Sequence, residues 1–144
     1  MKKILFLLLV LFVGQSAVLA DNDKSVQLSQ MPPKAQQFIK SYFSGNKVAL
    51  SKMDTDFFDK SYEVIFTNGD KVEFDKRGNW RDVDCKYSHV PTPIVPIKIM
   101  NYVKSNYADQ KILKIDIDKR KYEIKLSNGI ELEFDLKYKV INID

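Results

Sequence analysis

The chain is poor in the residues on which disulfides, catalytic centres and phosphate loops depend. It has one cysteine, one histidine and five glycines in 144 residues. Because Cys85 has no partner, no intrachain disulfide can form; we interpret it as a shielded thiol, with a reactive or dimer-forming thiol as the alternative. Because the single histidine, His89, lies in a proline-rich stretch, neither a Ser-His-Asp nor a Cys-His site is expected. The sequence therefore predicts a protein that is not an enzyme.

Ligand sets for metals and cofactors are also missing. Cys85 and His89 are four residues apart, but no second pair completes a tetrahedral zinc site. A calcium loop gathers oxygen ligands around a glycine turn, and the acidic stretches lack one. We therefore expect no metal and no cofactor. Four aspartates could in principle supply oxygen ligands to Ca²⁺, but we interpret them as residues on solvated strand faces: Asp54, Asp56, Asp116 and Asp118.

Long apolar runs are confined to the first twenty residues. Lys2 and Lys3 precede an apolar stretch, and Ala20 ends a segment suited to signal peptidase. The stretch is shorter than the roughly 20 apolar residues that cross a membrane. The sequence thus predicts a signal peptide over residues 1–20, no stable membrane anchor after its removal, and a periplasmic or secreted protein.

Excess positive charge is absent from the predicted mature chain. The full chain has 23 basic and 19 acidic residues, and removal of Lys2 and Lys3 with the signal peptide leaves 21 against 19. The lysines alternate with acids instead of clustering as they do on nucleic-acid binders. No nucleic-acid partner is expected.

What the sequence does contain is an internal repeat. Residues 62–75 align without a gap to residues 122–135, with seven of fourteen positions identical, and residues 38–43 match residues 102–107. The offset between the copies changes from 64 to 60, which indicates a shortening of four residues in the second copy. The chain is interpreted as two versions of one plan.

Each copy reads as a helix followed by four antiparallel strands. Apolar residues at helical spacing follow the prolines near positions 32 and 96. Alternating strands then flank Asn68-Gly69 and Asn128-Gly129, which predict two-residue hairpin turns. We expect an α+β fold: a tandem repeat of helix plus four-stranded antiparallel sheet, with both units joined into one larger sheet and the helices on one face. The repeats would span residues 21–86 and 87–144 within one compact domain, with two separate small domains as the alternative. An extended linker over residues 85–95 would connect them.

This plan resembles the PepSY-like family of exported bacterial proteins. The resemblance rests on Tyr62-Glu63-Val64, Asn68-Gly69 and the run from Val72 to Trp80. The second copy departs from it at residues 138–140, where Gly78-Asn79-Trp80 stood in the first. The resemblance implies a fold like that of the β-lactamase inhibitor protein, no catalytic residues, and the restraint of a peptidase or another protein through an open sheet face.

The outward sheet face is the candidate binding surface. If Val83 points inward, Trp80 points outward with Asp82 and resembles an interface anchor; a bulge after Gly78 that turns Trp80 into the core is the alternative. The residues predicted to bind a partner are Trp80, Ile65, Glu63, Glu73, Glu131 and Glu133.

Two functions from different classes follow from the sequence. The first is a non-catalytic binding module, an inhibitor or regulator of an envelope protein or peptidase through the open face of its sheet. The second is a structural or assembly protein that self-associates without a separate ligand. The sequence leaves homodimerisation open.

Overall fold

The computed structural model describes residues 23–56 and 59–144, where nine strands form one antiparallel sheet. Their order in the sheet is their order along the chain. The predicted signal peptide lies outside the described residues. Among those residues, no helix is both long and apolar enough to cross a membrane. The strands are β1 (Asp23–Ser25), β2 (Val48–Asp56), β3 (Asp59–Phe66), β4 (Lys71–Asp75), β5 (Trp80–Asp84), β6 (Ile112–Ile117), β7 (Lys121–Leu126), β8 (Glu131–Asp135) and β9 (Val140–Ile143).

The first strand, β1, is one more than the eight that the sequence predicts. Its three residues pair with β2, with Ser25 opposite Lys52. Asp23-Lys24-Ser25 is short, polar and without alternation, so it carries none of the pattern by which a strand is recognised in a sequence.

Two ten-residue helices, α1 (Pro33–Tyr42) and α2 (Ile97–Asn106), pack on this sheet. Both follow a proline at the N-cap, where a missing N–H leaves no helical hydrogen bond unmade. In α1, Phe38 lies edge-on to Phe74 of β4, with ring centroids 5.5 Å apart. In α2, Tyr102 meets Phe134 of β8 in the same way at 5.4 Å. Each helix is thus anchored to a fully buried phenylalanine of the sheet.

Four hairpin connections share one three-residue geometry. In each, the N–H of the third loop residue donates to the carbonyl of the last residue before the loop, at 2.9–3.0 Å. That third residue has positive φ: Gly69 (93°), Gly78 (87°), Gly129 (91°) and Tyr138 (67°). Both predicted Asn-Gly hairpins are therefore present, but the prediction of two-residue turns was wrong. The loops are type I turns closed by a left-handed residue, the common three-residue alternative.

Tyr138 occupies a backbone conformation that normally favours glycine. An L-residue there costs about 1–2 kcal/mol. Asp135 offsets this cost, because its Oδ1 accepts hydrogen bonds from the backbone N–H groups of Lys137 and Lys139, both at 2.9 Å. Asp75 makes the equivalent bonds around Gly78. The aspartate thus fixes the turn even where the glycine is missing.

The segment between β5 and α2 contributes to the core and is not merely an extended linker. Cys85, Val90 and Val95 are buried, and residues 92–94 form a 3₁₀ turn. The Cys85 N–H donates to the Leu113 carbonyl at 2.7 Å. Burial raises the pKa of the Cys85 thiol to about 12, so the thiol stays protonated and unreactive at neutral pH. His89, in the same segment, is exposed.

Candidate functional site

One face of the sheet carries a line of six carboxylates on six adjacent strands. They lie directly opposite one another in the cross-strand register from β3 to β8. At about 4.8 Å between neighbouring strands, the line extends over about 24 Å. We call it the acidic row; its members are Glu63, Glu73, Asp82, Asp116, Glu123 and Glu133.

The acidic row exists because each of its strands alternates. The neighbouring position in every strand belongs to a second row, which is apolar and almost fully buried. Successive strand residues point to opposite faces, so the acids face away from this apolar layer. The buried row consists of Val64, Val72, Val83, Ile115, Ile124 and Leu132.

Burial and like charge act together at the centre of the acidic row. Burial raises the pKa of Asp82 to about 6, with Asp116, Asp84 and Glu73 adding to the shift. Burial, followed by the charge of Glu63, also raises the pKa of Glu73. The pKa of Asp116 is raised by burial and by Glu123. Ionisation of these carboxyls is therefore less favourable in the folded protein than in the unfolded chain.

Basic side chains compensate the row in part. Near its β8 end, the Lys121 Nζ lies 2.9 Å from Glu133 Oε1 and 3.0 Å from Glu123 Oε1. In the middle, the Lys114 Nζ is 3.6 Å from Asp82 Oδ2. The other oxygen of Asp82, Oδ1, is buried with no hydrogen-bond partner among the described residues. The centre of the row is thus less well compensated than its β8 end.

The second half of the row lines a shallow depression of about 330 Å³. Asp116, Glu123 and Glu133 contribute to it, together with Lys114 and Glu131. No group of three or more His, Cys, Asp or Glu side chains among the described residues is arranged to hold a metal ion. The depression is therefore a charged surface without a preformed metal site.

Five of the six predicted binding residues lie on this face. Glu63, Glu73 and Glu133 belong to the acidic row itself. Glu131 is two residues from Glu133 and opposes Lys125. Ile65 opposes the exposed Leu50 and forms an apolar spot beside the row.

Trp80 lies on the other side of the sheet. The register shifts by one residue between Glu73 and Phe74, so that Trp80 opposes Phe74 while Asp82 opposes Glu73. The Trp80 ring packs against Phe38 of α1, with centroids 6.4 Å apart. Of the two orientations left open by the sequence, the structure has the bulged one, and Trp80 does not stand on the acidic face.

Sequence reasoning did not select Asp82, Asp116 and Glu123 as site residues. Each was recognisable as an outward acid in an alternating strand, but their alignment depends on the registers. Two of those registers, in the β4–β5 and β6–β7 pairs, contain a shift. Counting alternation within one strand cannot reveal a line that runs across six.

The sequence matches one family model over residues 60–142, which is described as "Putative beta-lactamase-inhibitor-like, PepSY-like". The match begins in β3 and ends in β9, so it includes the whole acidic row. No curated protein matches the sequence.

Three solved structures are similar over most of the chain. A "putative periplasmic protein" from Bacteroides vulgatus ATCC 8482 is 60% identical, with a TM-score of 0.85, over 87% of this chain and 98% of that one. A "putative calcium-regulated periplasmic protein" from Bacteroides thetaiotaomicron is 62% identical, with the same TM-score and the same coverage. A second Bacteroides vulgatus protein, described as periplasmic and of unknown function, is 34% identical, with a TM-score of 0.80, over 85% and 98%.

Proposed function

This chain belongs to the PepSY-like family of periplasmic proteins, and we propose that it is a non-catalytic binding module whose acidic row receives a basic segment of another envelope protein. The observation that carries the proposal is the alignment of six carboxylates on six adjacent strands. The family description supports a protein partner, with inhibition or regulation as the consequence of binding.

The proposal requires that the acidic face be open. We infer that both helices cover the apolar face and that the two helix-and-strand units are copies of one plan. In support, Phe38 of α1 packs on Phe74, and Tyr102 of α2 packs on Phe134 at the corresponding place in the second hairpin. Phe74 and Phe134 each lie two residues from a member of the buried row, and therefore on its face. The acidic row faces the opposite way.

A cationic partner would relieve an unfavourable charge arrangement. Like charges directly opposite one another on neighbouring strands are destabilising. Partial burial, followed by this repulsion, raises the pKa values of Glu73, Asp82 and Asp116. Lysine or arginine side chains laid along the row would compensate it. Binding and ionisation of the row would then favour each other.

The shape of the surface favours a polypeptide over a small molecule. The row extends over about 24 Å, which is the length of roughly seven residues of extended chain. The depression takes in only the β6–β8 part of the row, so a small molecule bound there would leave Glu63, Glu73 and Asp82 uncovered. Ile65 and Leu50 offer an apolar contact beside one end of the row.

One relative is described as calcium-regulated, which raises the question of whether Ca²⁺ binds to the acidic row. Carboxylate oxygens are the ligands that Ca²⁺ prefers, but the described residues form no cluster arranged to hold a metal ion. The side chains do not fit a preformed calcium site. We therefore propose that divalent cations act on this chain only as diffuse counterions that compete with the basic partner.

The test is the binding of a fluorescent oligolysine peptide to the mature chain at low ionic strength. We expect Glu73→Gln to weaken binding about two- to fivefold, as for the loss of one partly exposed ion pair. The matched control is Asp109→Asn, because Asp109 is an exposed acid in the loop between α2 and β6. It removes the same charge away from the row and should leave the affinity unchanged. If both variants weakened binding equally, the peptide would be attracted by the overall charge of the protein and not by the acidic row, and the proposal would be wrong.

Calcium provides a second arm of the same experiment. At matched ionic strength, Ca²⁺ and Mg²⁺ should weaken peptide binding equally if they act as counterions. A larger effect of Ca²⁺ that Glu73→Gln abolishes would show that the carboxylates gather into a coordinated site, and it would overturn the counterion proposal.

The alternative is a structural role in which self-association is the whole function. Exposed apolar side chains at the last strand favour it, since Ile141 and Ile143 are 54% and 50% exposed. This alternative predicts oligomers and no affinity for basic peptides, so the peptide titration separates the two functions.

A further inference from the structure

We propose that the free edge of β9 pairs antiparallel with β9 of a second copy, so that two nine-stranded sheets join into one. This inference concerns the edge of the sheet and does not depend on what occupies the acidic row.

The two edges of the sheet differ in their protection against pairing. The β1 edge has only three residues, of which Asp23 and Lys24 are charged. Charges and short length are the usual means by which proteins discourage pairing at an edge. Within β9, Val140 to Ile143, no residue is charged, and Ile141 and Ile143 are half exposed. The nearest charges along this edge are those of the flanking Lys139 and Asp144. Leu136, in the turn before β9, adds a third exposed apolar side chain.

The backbone of β9 offers hydrogen-bonding groups to that edge. Glu131 and Asp144 exchange both backbone hydrogen bonds, each at 2.9 Å. Bonded and non-bonded pairs alternate along an antiparallel ladder. Ile143, which lies opposite Leu132, therefore directs its N–H and C=O away from β8. These groups are placed to continue the ladder into another strand.

The side chains of β9 suit a second copy better than an unrelated strand. Asn142 opposes Glu133, so it occupies the position at which the acidic row reaches the edge. It is uncharged, and a two-fold axis beside it would place two amides opposite each other instead of two carboxylates. The same axis would bring Ile141 of each copy opposite Ile143 of the other. A two-fold contact needs such a self-complementary strand.

The test is sedimentation equilibrium of the mature chain over a wide concentration range, with two variants of β9. Asn142→Lys faces Glu133 favourably within the chain but places two lysines opposite each other across the axis. Ile143→Pro removes the outward N–H while leaving the bonds to β8 intact. We expect a dimer for the unmodified chain, and a dissociation constant at least about tenfold larger for either variant.

The control is Ser25→Glu on the opposite edge, where the new charge faces Lys52. It should leave the dimer unchanged, and circular dichroism should show that all variants remain folded. A chain that stays monomeric at every concentration would overturn the proposal, as would a dimer that survives both β9 variants. Neither result bears on peptide binding, so failure here is distinct from failure of the proposed function.

Discussion

At the residue scale, Asp82 is a carboxyl group whose ionisation is made less favourable by folding. Its side chain is 28% exposed, its neighbours across both strands are acids, and burial raises its pKa to about 6. The unfolded value is about 3.9. Between these two values the folded state binds more protons than the unfolded state, so the Asp82 contribution to stability falls as the pH rises from about 4 to about 6.

Asp82→Asn should therefore stabilise the protein at neutral pH. We expect a gain of about 1 kcal/mol at pH 7.5, reduced from the full shift because the group is partly solvated, and no gain at pH 4. Lys114, which loses its ion-pair partner in this variant, still has the carboxylates of Asp84 and Asp116 close by to compensate its charge. Urea denaturation of both proteins at several pH values measures the difference. A gain that does not depend on pH would assign the effect to packing and not to charge.

Asp118 supplies the opposite case for the same titration. Its pKa is lowered because the backbone N–H groups of Arg120 and Lys121 donate to its carboxylate. Such a group adds stability above its unfolded pKa and loses it as the pH falls through the folded value. Asp118→Asn should thus destabilise at neutral pH, opposite in sign to Asp82→Asn.

At the scale of elements, the turn between β4 and β5 fixes the position of α1. A Cβ added at Gly78 would lie 2.9 Å from the Ala35 backbone nitrogen and 3.0 Å from Pro32 Cβ. The turn thus packs directly against the first turn of the helix. Gly129 has nearly the same φ, but an added Cβ there meets nothing within 4 Å.

Gly78→Ala should accordingly cost more than Gly129→Ala. Both substitutions carry the left-handed backbone penalty of about 1–2 kcal/mol. Gly78→Ala also forces the α1 backbone away, which adds about 1–3 kcal/mol as overpacking does. The thermal midpoints of the two variants, followed by circular dichroism, compare these costs. Equal midpoints would show that α1 can shift to accept the added Cβ at no cost in stability.

The elements also show what the sequence can and cannot predict. Helices, hairpins and the single sheet follow from periodicity and from Asn-Gly pairs, because those signals are local. The orientation of Trp80 does not, because one extra residue in β5 reverses the count at the bulge. The strand β1 was missed because its stability comes from pairing with β2 and not from its own composition.

At the scale of the whole molecule, the two halves of the sheet meet at β5 and β6. Val83 and Ile115 oppose each other there, both fully buried. We expect the sheet to unfold in one cooperative transition, with the fluorescence of Trp80 in the first half coinciding with far-ultraviolet circular dichroism of the whole.

Ile115→Ala tests this junction. The substitution should lower the free energy of unfolding by about 2–5 kcal/mol, as for other buried isoleucines replaced by alanine. The midpoints of the fluorescence and circular dichroism transitions should fall together. Ile117→Ala, at the half-buried end of the same strand, should cost less. Fluorescence that keeps its original midpoint while circular dichroism shifts would mean that the halves unfold independently.

The order of the strands has a consequence for how the chain acquires its structure. Every strand from β2 onward pairs with the strand just before it, and only the β1–β2 and β5–β6 pairings span a helix. Contacts between sequence neighbours make folding fast. If the chain emerges into the periplasm from its amino-terminal side, each strand can pair as soon as it appears. The β9 edge would then form last.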